Sequence, residues 1–519
     1  MSLQIRFVVV LLSLAVAGCD DGATVDERRS STLTVHVPDA NEWLFGPAQS
    51  DEPMFLLFLP IAQVGSDGEI EGRLVRDWQH SEDYRHWTVR LRTDVRWHDG
   101  VPVTAHDVAF TADLLRHPNV ARISPDAFTV TVVDDSTYTV EILTADERGV
   151  VTPIRAPTLT GIPFPKHLLV HLDPANFFEW EFWLRPVGNG PYRYVRHTTQ
   201  TMVELEANPD FYLGEPSIPR VVLKFSGQNQ LMELLSGNVD VALYMEWADL
   251  RKMEGDTRLV SYWSKDTWVY MGILWNVRAG PLADPLVRRA LTMALDRRAL
   301  QRNLNLPVET KLIESVFTER QYWRGELPEP LPYDPVAAAE LLTEAGWDRQ
   351  PDGGWEREGV PLTFTTIVYA TAGDAIVESS AIYVQDQLHD LGVEMSIELA
   401  EPGVIRERAE AGEFDAILGE VLTAPTWLER QFGTQSYLGY RNARAAELIG
   451  QVSTSIDPEE TERIYAELGA ILRDDLPVTA LFPDYEMHVV SSRVRGLSSP
   501  LRSVPLRHME EIWIKEEAR

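Results

Sequence analysis

Residues 362–399, LTFTTIVYATAGDAIVESSAIYVQDQLHDLGVEMSIEL, carry the pattern that decides the fold. Leu362 to Tyr369 reads as a strand. Ala381, Val384, Leu388 and Leu391 then recur three and four residues apart, the spacing that lines one face of a helix. Gly392 stops that helix, because glycine enters the left-handed conformation of a helix end without a Cβ clash. Val393, Met395, Ile397 and Leu399 alternate as a second strand. Strand, helix and strand in this order predict a sheet covered by helices.

The same order appears earlier in the chain, where Leu231, Leu234 and Leu235 lead to a stop at Gly237 before Val239, Val241 and Leu243 alternate. Helix starts are marked by their caps. Thr104 with Asp107 three residues on makes a capping box ahead of Val108, Ala112 and Leu115, a stripe that ends at Pro118. Asp284-Pro285 precedes Val287, Ala290, Leu291, Ala294 and Leu295, and Asp334-Pro335 precedes Leu341, Leu342 and Ala345 with a stop at Gly346. Strands are read from the alternation of Leu33, Val35 and Val37, of Tyr138, Val140 and Ile142, and of Val203 and Leu205 before a turn at Asn208-Pro209. No repeat of 20 to 50 residues and no long linker separates the two α/β halves, so packed lobes are expected.

At 519 residues the chain exceeds the size at which one core usually divides, and two or three domains are expected. Hydrophobic residues, 44% of the chain, suffice for their cores. A formal charge of -32 repels nucleic acid and anionic headgroups, which excludes both as partners. The first residues read as an export signal over 1–18, with Arg6 as its positive start and Phe7 to Ala17 as its apolar core. This stretch of eleven residues, interrupted by Ser13, falls short of the roughly 20 a spanning helix needs. Val16-Ala17-Gly18-Cys19 resembles the bacterial lipobox, which implies that Cys19, the only cysteine, is lipidated and anchors the chain to a membrane. Residues 19–31 are polar, lack an apolar period and read as a tether.

A search for chemistry is mostly negative. The sequence holds no Gly-x-Ser-x-Gly elbow, His-Glu-x-x-His helix, phosphate loop or dinucleotide-binding glycine turn. No cysteine follows Cys19, which excludes thiol catalysis and thiolate metal sites in the folded body. His167 and His171 stand four apart, a spacing able to clamp a metal on one helix face, but no third ligand is near and packing histidines are expected instead. Asp99, Asp107, Asp134 and Asp135 are unremarkable in so acidic a chain, and Trp97-His98-Asp99-Gly100 reads as a hairpin. No cofactor and no enzymatic activity are expected.

Several separated segments resemble one family, the extracytoplasmic solute-binding proteins of the peptide/nickel importer type, family 5. The longest is RLVRDWQHSEDYRHWTVRLRTDVRWHDGVPVTAHDVAFTADLL at 73–115. In order there follow Phe164-Pro165-Lys166-His167, VGNGPYR at 187–193, LEANPDFYLGEP at 205–216, LLSGNVDVALY at 234–244, DPLVRRALTMALDRRAL at 284–300, YDPVAAAELLTEAGW at 333–347, FDAILG at 414–419 and LPVTALFP at 476–483. The resemblance implies an α/β, two-lobed periplasmic-binding-protein-like fold (type II) with an extra strand-rich subdomain inserted in lobe I. Lobe I is expected over 32–275 with the insert at about 60–184, lobe II over 276–479, and a return to lobe I over 480–519. Hinge strands are expected near Gly272 to Asn276 and Val478 to Pro483. A monomer is expected that captures a small ligand or peptide by closure and delivers it to the permease subunits of an ABC importer, outside the cytoplasm.

By the same resemblance the cleft is lined by Asn41 and Trp43, by Tyr244, Glu246 and Trp247, by Trp268 and Tyr270, and by Glu420, Thr423 and Trp427. Aromatic residues there offer apolar area with polar tips, although each also suits core packing. Peptide-binding members place an aspartate a few residues after the FDAILG segment, where this chain has Ala424. The loss removes a charge-assisted hydrogen bond to a peptide's α-ammonium, worth roughly 1.5 to 3 kcal/mol. That loss counts against a peptide with a free amino terminus, and Glu246 or Glu420 is the candidate replacement that keeps cationic ligands open. Two rival readings remain open: a ligand-binding module feeding a signalling receptor, and a hydrolase using cleft carboxylates.

Overall fold

A computed structural model describes residues 32–37, 51–64, 70–83, 85–120, 128–143, 161–199, 201–225, 230–245, 249–253, 255–263, 269–306, 312, 317, 329–369, 375–423, 425–454, 458–485, 487–497, 506 and 508–515. β1 (Thr32–Val37) buries Leu33, Val35 and Val37 as their alternation predicts, and α1 (Asp51–Leu57) follows. Next come β2 (Val75–His80), β3 (His86–Leu91), α2 (Ala105–Arg116), β4 (Phe128–Asp134) and β5 (Thr137–Ile142). Thr104 and Asp107 form the reciprocal capping box at the start of α2. β6 (Tyr192–Thr198), β7 (Met202–Ala207) and β8 (Arg220–Phe225) lead to α3 (Gln230–Leu235). β9 is only Val241–Ala242 instead of the alternating run from Val239 to Leu243, and beyond it Tyr244 takes φ of 53°.

β10 (Leu259–Trp263) and β11 (Val269–Trp275) precede α4 (Pro285–Met293) and α5 (Pro335–Glu344). The Asp284 carboxylate accepts from the Leu286 amide, and that of Asp334 from Val336 and Ala337. Ala294 and Leu295 are buried as their spacing predicts but lie past α4, since Asp296 caps a separate helix over Arg297–Asn303. Then follow β12 (Thr363–Tyr369), α6 (Ala375–Leu391), β13 (Glu394–Ala400), α7 (Pro402–Ala411), β14 (Ala416–Leu422), α8 (Pro425–Phe432), α9 (Ala443–Thr454), α10 (Pro458–Asp475), β15 (Val478–Pro483) and β16 (Met487–Ser491).

Two main sheets organise these elements. The first has order β10-β16-β9-β1-β8-β7-β6, with β1 parallel to both β8 and β9. The second has order β13-β12-β14-β11-β15, with β12 parallel to β13 and β14 and β11 antiparallel to β14 and β15. A four-stranded antiparallel sheet, β2-β3-β5-β4, is inserted between β1 and β6, and its core (Trp87, Val89, Tyr138, Val140) is continuous with that of the first sheet (Val35, Leu205, Leu223). The second sheet is covered on both faces. Met271, Ile273 and Trp275 pack with α4, α5 and α6, while Tyr270 and Leu274 pack with residues of α7 to α10.

The strands expected as hinges are neighbours inside the second sheet, paired from Tyr270 opposite Pro483 to Leu274 opposite Val478. All of β15, and all of β11 after Val269, is buried, as a strand covered on both faces must be. The chain therefore crosses between the sheets twice, first from β10 to β11 and again from β15 to β16. The returning segment is tied to the start of lobe I through the buried Asp240. Its Oδ2 accepts the Thr34 amide at 2.9 Å and its Oδ1 the Arg493 Nε at 2.6 Å.

Candidate ligand-binding site

Both crossings leave from one edge of each sheet. On the first sheet that edge holds the ends of β1, β8, β9 and β10 and the start of β16; on the second it holds the ends of β12, β13, β14 and β15 and the start of β11. Four peptide steps join Pro483 to Met487, so these edges are held within about 14 Å of each other along that path. In α/β sheets a ligand crevice opens beyond the carboxyl ends of the strands.

On the second sheet, Glu420 is exposed in β14 and stands opposite Met271 in register. Tyr369 ends β12 beside it. Burial first, and the Glu420 charge second, hold the Tyr369 hydroxyl above its ordinary pKa. Gly419 makes room for this tyrosine, because a Cβ there would stand 2.3 Å from Tyr369 Cδ2. Burial first, and Tyr369 second, hold the Tyr437 hydroxyl well above its ordinary pKa, while Arg430 and then Gln431 oppose the shift. Trp427 is half-buried at the start of α8, with the Arg430 guanidinium 4.9 Å from its ring centre. Thr423 is buried between β14 and α8.

Tyr270 departs from its expected place. It is fully buried in the core beneath this edge, since its position in β11 directs it to the face covered by α8, α9 and α10. Its hydroxyl has no partner among the described residues, and burial followed by Tyr437 raises its pKa well above the ordinary value. On the first sheet, Tyr244 is half-buried and packs edge-on against His488, ring centres 5.2 Å apart. The expected contacts Asn41, Trp43, Glu246, Trp247 and Trp268, together with Ala424 and the anchor Cys19, lie outside the described residues. Sequence reasoning missed Tyr369, Gln431, Arg430, Tyr437 and His488. Of these only Tyr369 carried a signal, as the last residue of a predicted strand.

The other motifs prove to be framework. The Asn189 and Gly190 amides both donate to the Leu57 carbonyl at the end of α1, at 2.9 and 2.7 Å, and Asn189 Oδ1 accepts from the Leu59 amide. A Cβ on Gly188 would stand 1.9 Å from that same carbonyl oxygen. Gly188→Ala is therefore expected to cost about 3 kcal/mol by forcing backbone apart. Urea unfolding at neutral pH measures this, and an unchanged midpoint would show that the loop yields. His98 is enclosed here: its Nδ1 accepts the Gly188 amide and its Nε2 donates to the Gly190 carbonyl, each at 3.2 Å. Burial lowers its pKa to about 4, so it is neutral. His167 Nε2 lies 2.7 Å from Asp99 Oδ2, and among the described residues no three metal-binding side chains gather. Among the same residues no helix is long and apolar enough to cross a membrane.

Comparison with known proteins identifies the family. A family model described as bacterial extracellular solute-binding proteins, family 5 middle, matches residues 69–441. The chain belongs to this family. Proteins similar to it include the oligopeptide-binding protein AppA of Bacillus subtilis, 27% identical over 447 residues, with 82% of this chain and 80% of the relative covered. The glutathione-binding protein GsiB of Pectobacterium atrosepticum is 23% identical over 449 residues, covering 82% of each. Among solved structures, the ABC transporter substrate-binding protein CtaP of Listeria monocytogenes superposes with a TM-score of 0.80 at 21% identity, covering 94% of this chain and all of that one, which shows the two-lobed fold. As a family 5 member the chain is a solute-binding protein that acts outside the cytoplasm.

Proposed function

We propose that this family 5 protein captures a peptide-class solute between its two sheets, closes by bending where the chain passes from one sheet to the other, and releases the solute chemically unchanged. It is the substrate-binding component of an ABC importer. The observation that carries the ligand reading is the placement of Glu420 in β14 and Tyr369 at the end of β12, towards the edge from which both crossings depart, with Trp427 at the start of the helix that follows β14. Aromatic faces offer area for side chains and peptide planes, and a carboxylate offers a counter-charge for an ammonium. Glu420 takes the part that Ala424 lacks. Asn41, Trp43, Tyr244, Glu246, Trp247, Trp268 and Thr423 complete the contacts, while lipidated Cys19 tethers the monomer to the outer face of a membrane. A ligand bridging both lobes favours the closed state by its extra contacts there.

Trialanine is the first probe. It should raise the unfolding temperature and change tryptophan fluorescence saturably. Glu420→Gln should weaken trialanine binding about tenfold, near 1.4 kcal/mol, and leave N-acetyl-trialanine unaffected. Absence of any thermal shift across a panel of di- to nonapeptides would overturn the peptide reading. Mass spectrometry showing cleaved peptide would favour a hydrolase.

A further inference from the structure

Tyr244 is one of four non-glycine residues with positive φ among the described residues, at 53°. A bulky aromatic residue holds this conformation only where its surroundings impose it. Here they do so from three sides. The Leu243 amide donates to the His36 carbonyl of β1, and the Met245 amide donates to the Met487 carbonyl at the start of β16, at 3.2 and 2.8 Å. Between them the Tyr244 amide donates to Nδ1 of His488 at 3.3 Å. Nδ1 accepts, so the ring proton sits on Nε2, which is buried with no partner among the described residues. An aliphatic side chain would fill the same core without orphaning a donor, so packing alone does not account for an imidazole at 488.

His488 also stands early in β16, the strand that begins on the far side of the second crossing. The same core joins Met245, Met487 and Val489 of the first lobe to Phe482 and Tyr485 on the approach from the second. We propose that His488 is a positioning residue for ligand capture: its Nδ1 holds Tyr244 in the left-handed turn at the crevice edge of lobe I, and thereby couples Tyr244 to movement at the second crossing. The ligand contact at Tyr244 rests on the function proposed above. So does the movement at the crossing, whereas the hydrogen bond that ties Tyr244 to His488 stands apart from it.

Amide hydrogen exchange on the ligand-free protein tests the coupling. His488→Ala should speed exchange at Tyr244 and Met245 about tenfold or more, and His488→Asn, whose Oδ1 replaces Nδ1 as acceptor, should restore most of it. Tyr244→Gly should speed exchange of the Asp484 amide, which donates to the Val269 carbonyl at 3.2 Å across the neighbouring strands. Unchanged exchange at Asp484 in Tyr244→Gly, or failure of His488→Asn to restore protection at Tyr244, would overturn the proposal. With trialanine as probe, His488→Ala should raise the dissociation rate about tenfold and His488→Asn less than about threefold. Wild-type protein that ignores trialanine would count against the peptide reading, and hydrogen exchange would still decide the role of His488.

Discussion

Between pH 6.5 and about 4 the folded chain should lose roughly 3 kcal/mol of stability through each of two histidines, the half-buried His98 and the buried His488. Burial is the leading cause in both, and both pKa values fall from 6.5 to about 4. For His98 the Gly190 carbonyl opposes the shift without cancelling it. The sign follows from which state takes the proton first. As pH falls below 6.5 the unfolded chain protonates while the folded chain does not, so the stabilisation is complete above 6.5, drains through the window, and is gone below about 4. Protonation also destroys an acceptor in each case, since Nδ1 of His98 faces the Gly188 amide and Nδ1 of His488 faces that of Tyr244. Urea unfolding at pH 7, 6, 5 and 4.5 should show a slope near two protons, about 2.7 kcal/mol per pH unit in mid-window. His98→Asn and His488→Asn should each remove about one proton from that slope. A slope unchanged by both substitutions would mean that the histidines are not the source.

The second large effect is expected at Arg288, which is buried within α4. Its guanidinium donates to three backbone carbonyls: Leu476 through Nε at 2.8 Å, Leu282 through Nη1 at 2.7 Å, and Asp475 through Nη2. Burial lowers its pKa to about 10, which still leaves it charged at neutral pH. These bonds gather the end of α10, the turn before β15 and the segment before α4, so one side chain positions the strand that leads to the second crossing. Arg288→Met keeps the volume and removes every donor. With each orphaned buried carbonyl costing about 1 to 3 kcal/mol, the substitution should destabilise lobe II by about 4 kcal/mol. Circular dichroism during urea unfolding reads this directly. A loss below about 1 kcal/mol would show that water replaces the guanidinium.

Arg288 also shows where sequence reading stops. It sits between Val287 and Ala290 in an apolar stripe that was read correctly as a helix face, and its own burial was invisible because arginine carries no hydrophobic signal. Tyr270 failed in the opposite sense: it was read as a cleft contact and lies in the core. An aromatic residue near a strand end is compatible with either place, and only the helices packed over β11 decide which.

What the sequence determined by itself is local and repetitive. Hydrophobic alternation, the caps at Thr104, Asp284 and Asp334, and the stops at Gly237, Gly346 and Gly392 were legible because each depends on residues within a few positions of one another. The ordered family segments added the solute-binding class. Only the tertiary structure decided that β11 and β15 are partners in one sheet, that the chain passes between the sheets from β10 to β11 and from β15 to β16, that Glu420 and Tyr369 lie towards the same end of the second sheet, and that His488 reaches Tyr244. Those contacts join residues up to 244 positions apart, and periodicity along a chain records which face a residue takes but not which distant strand lies beside it.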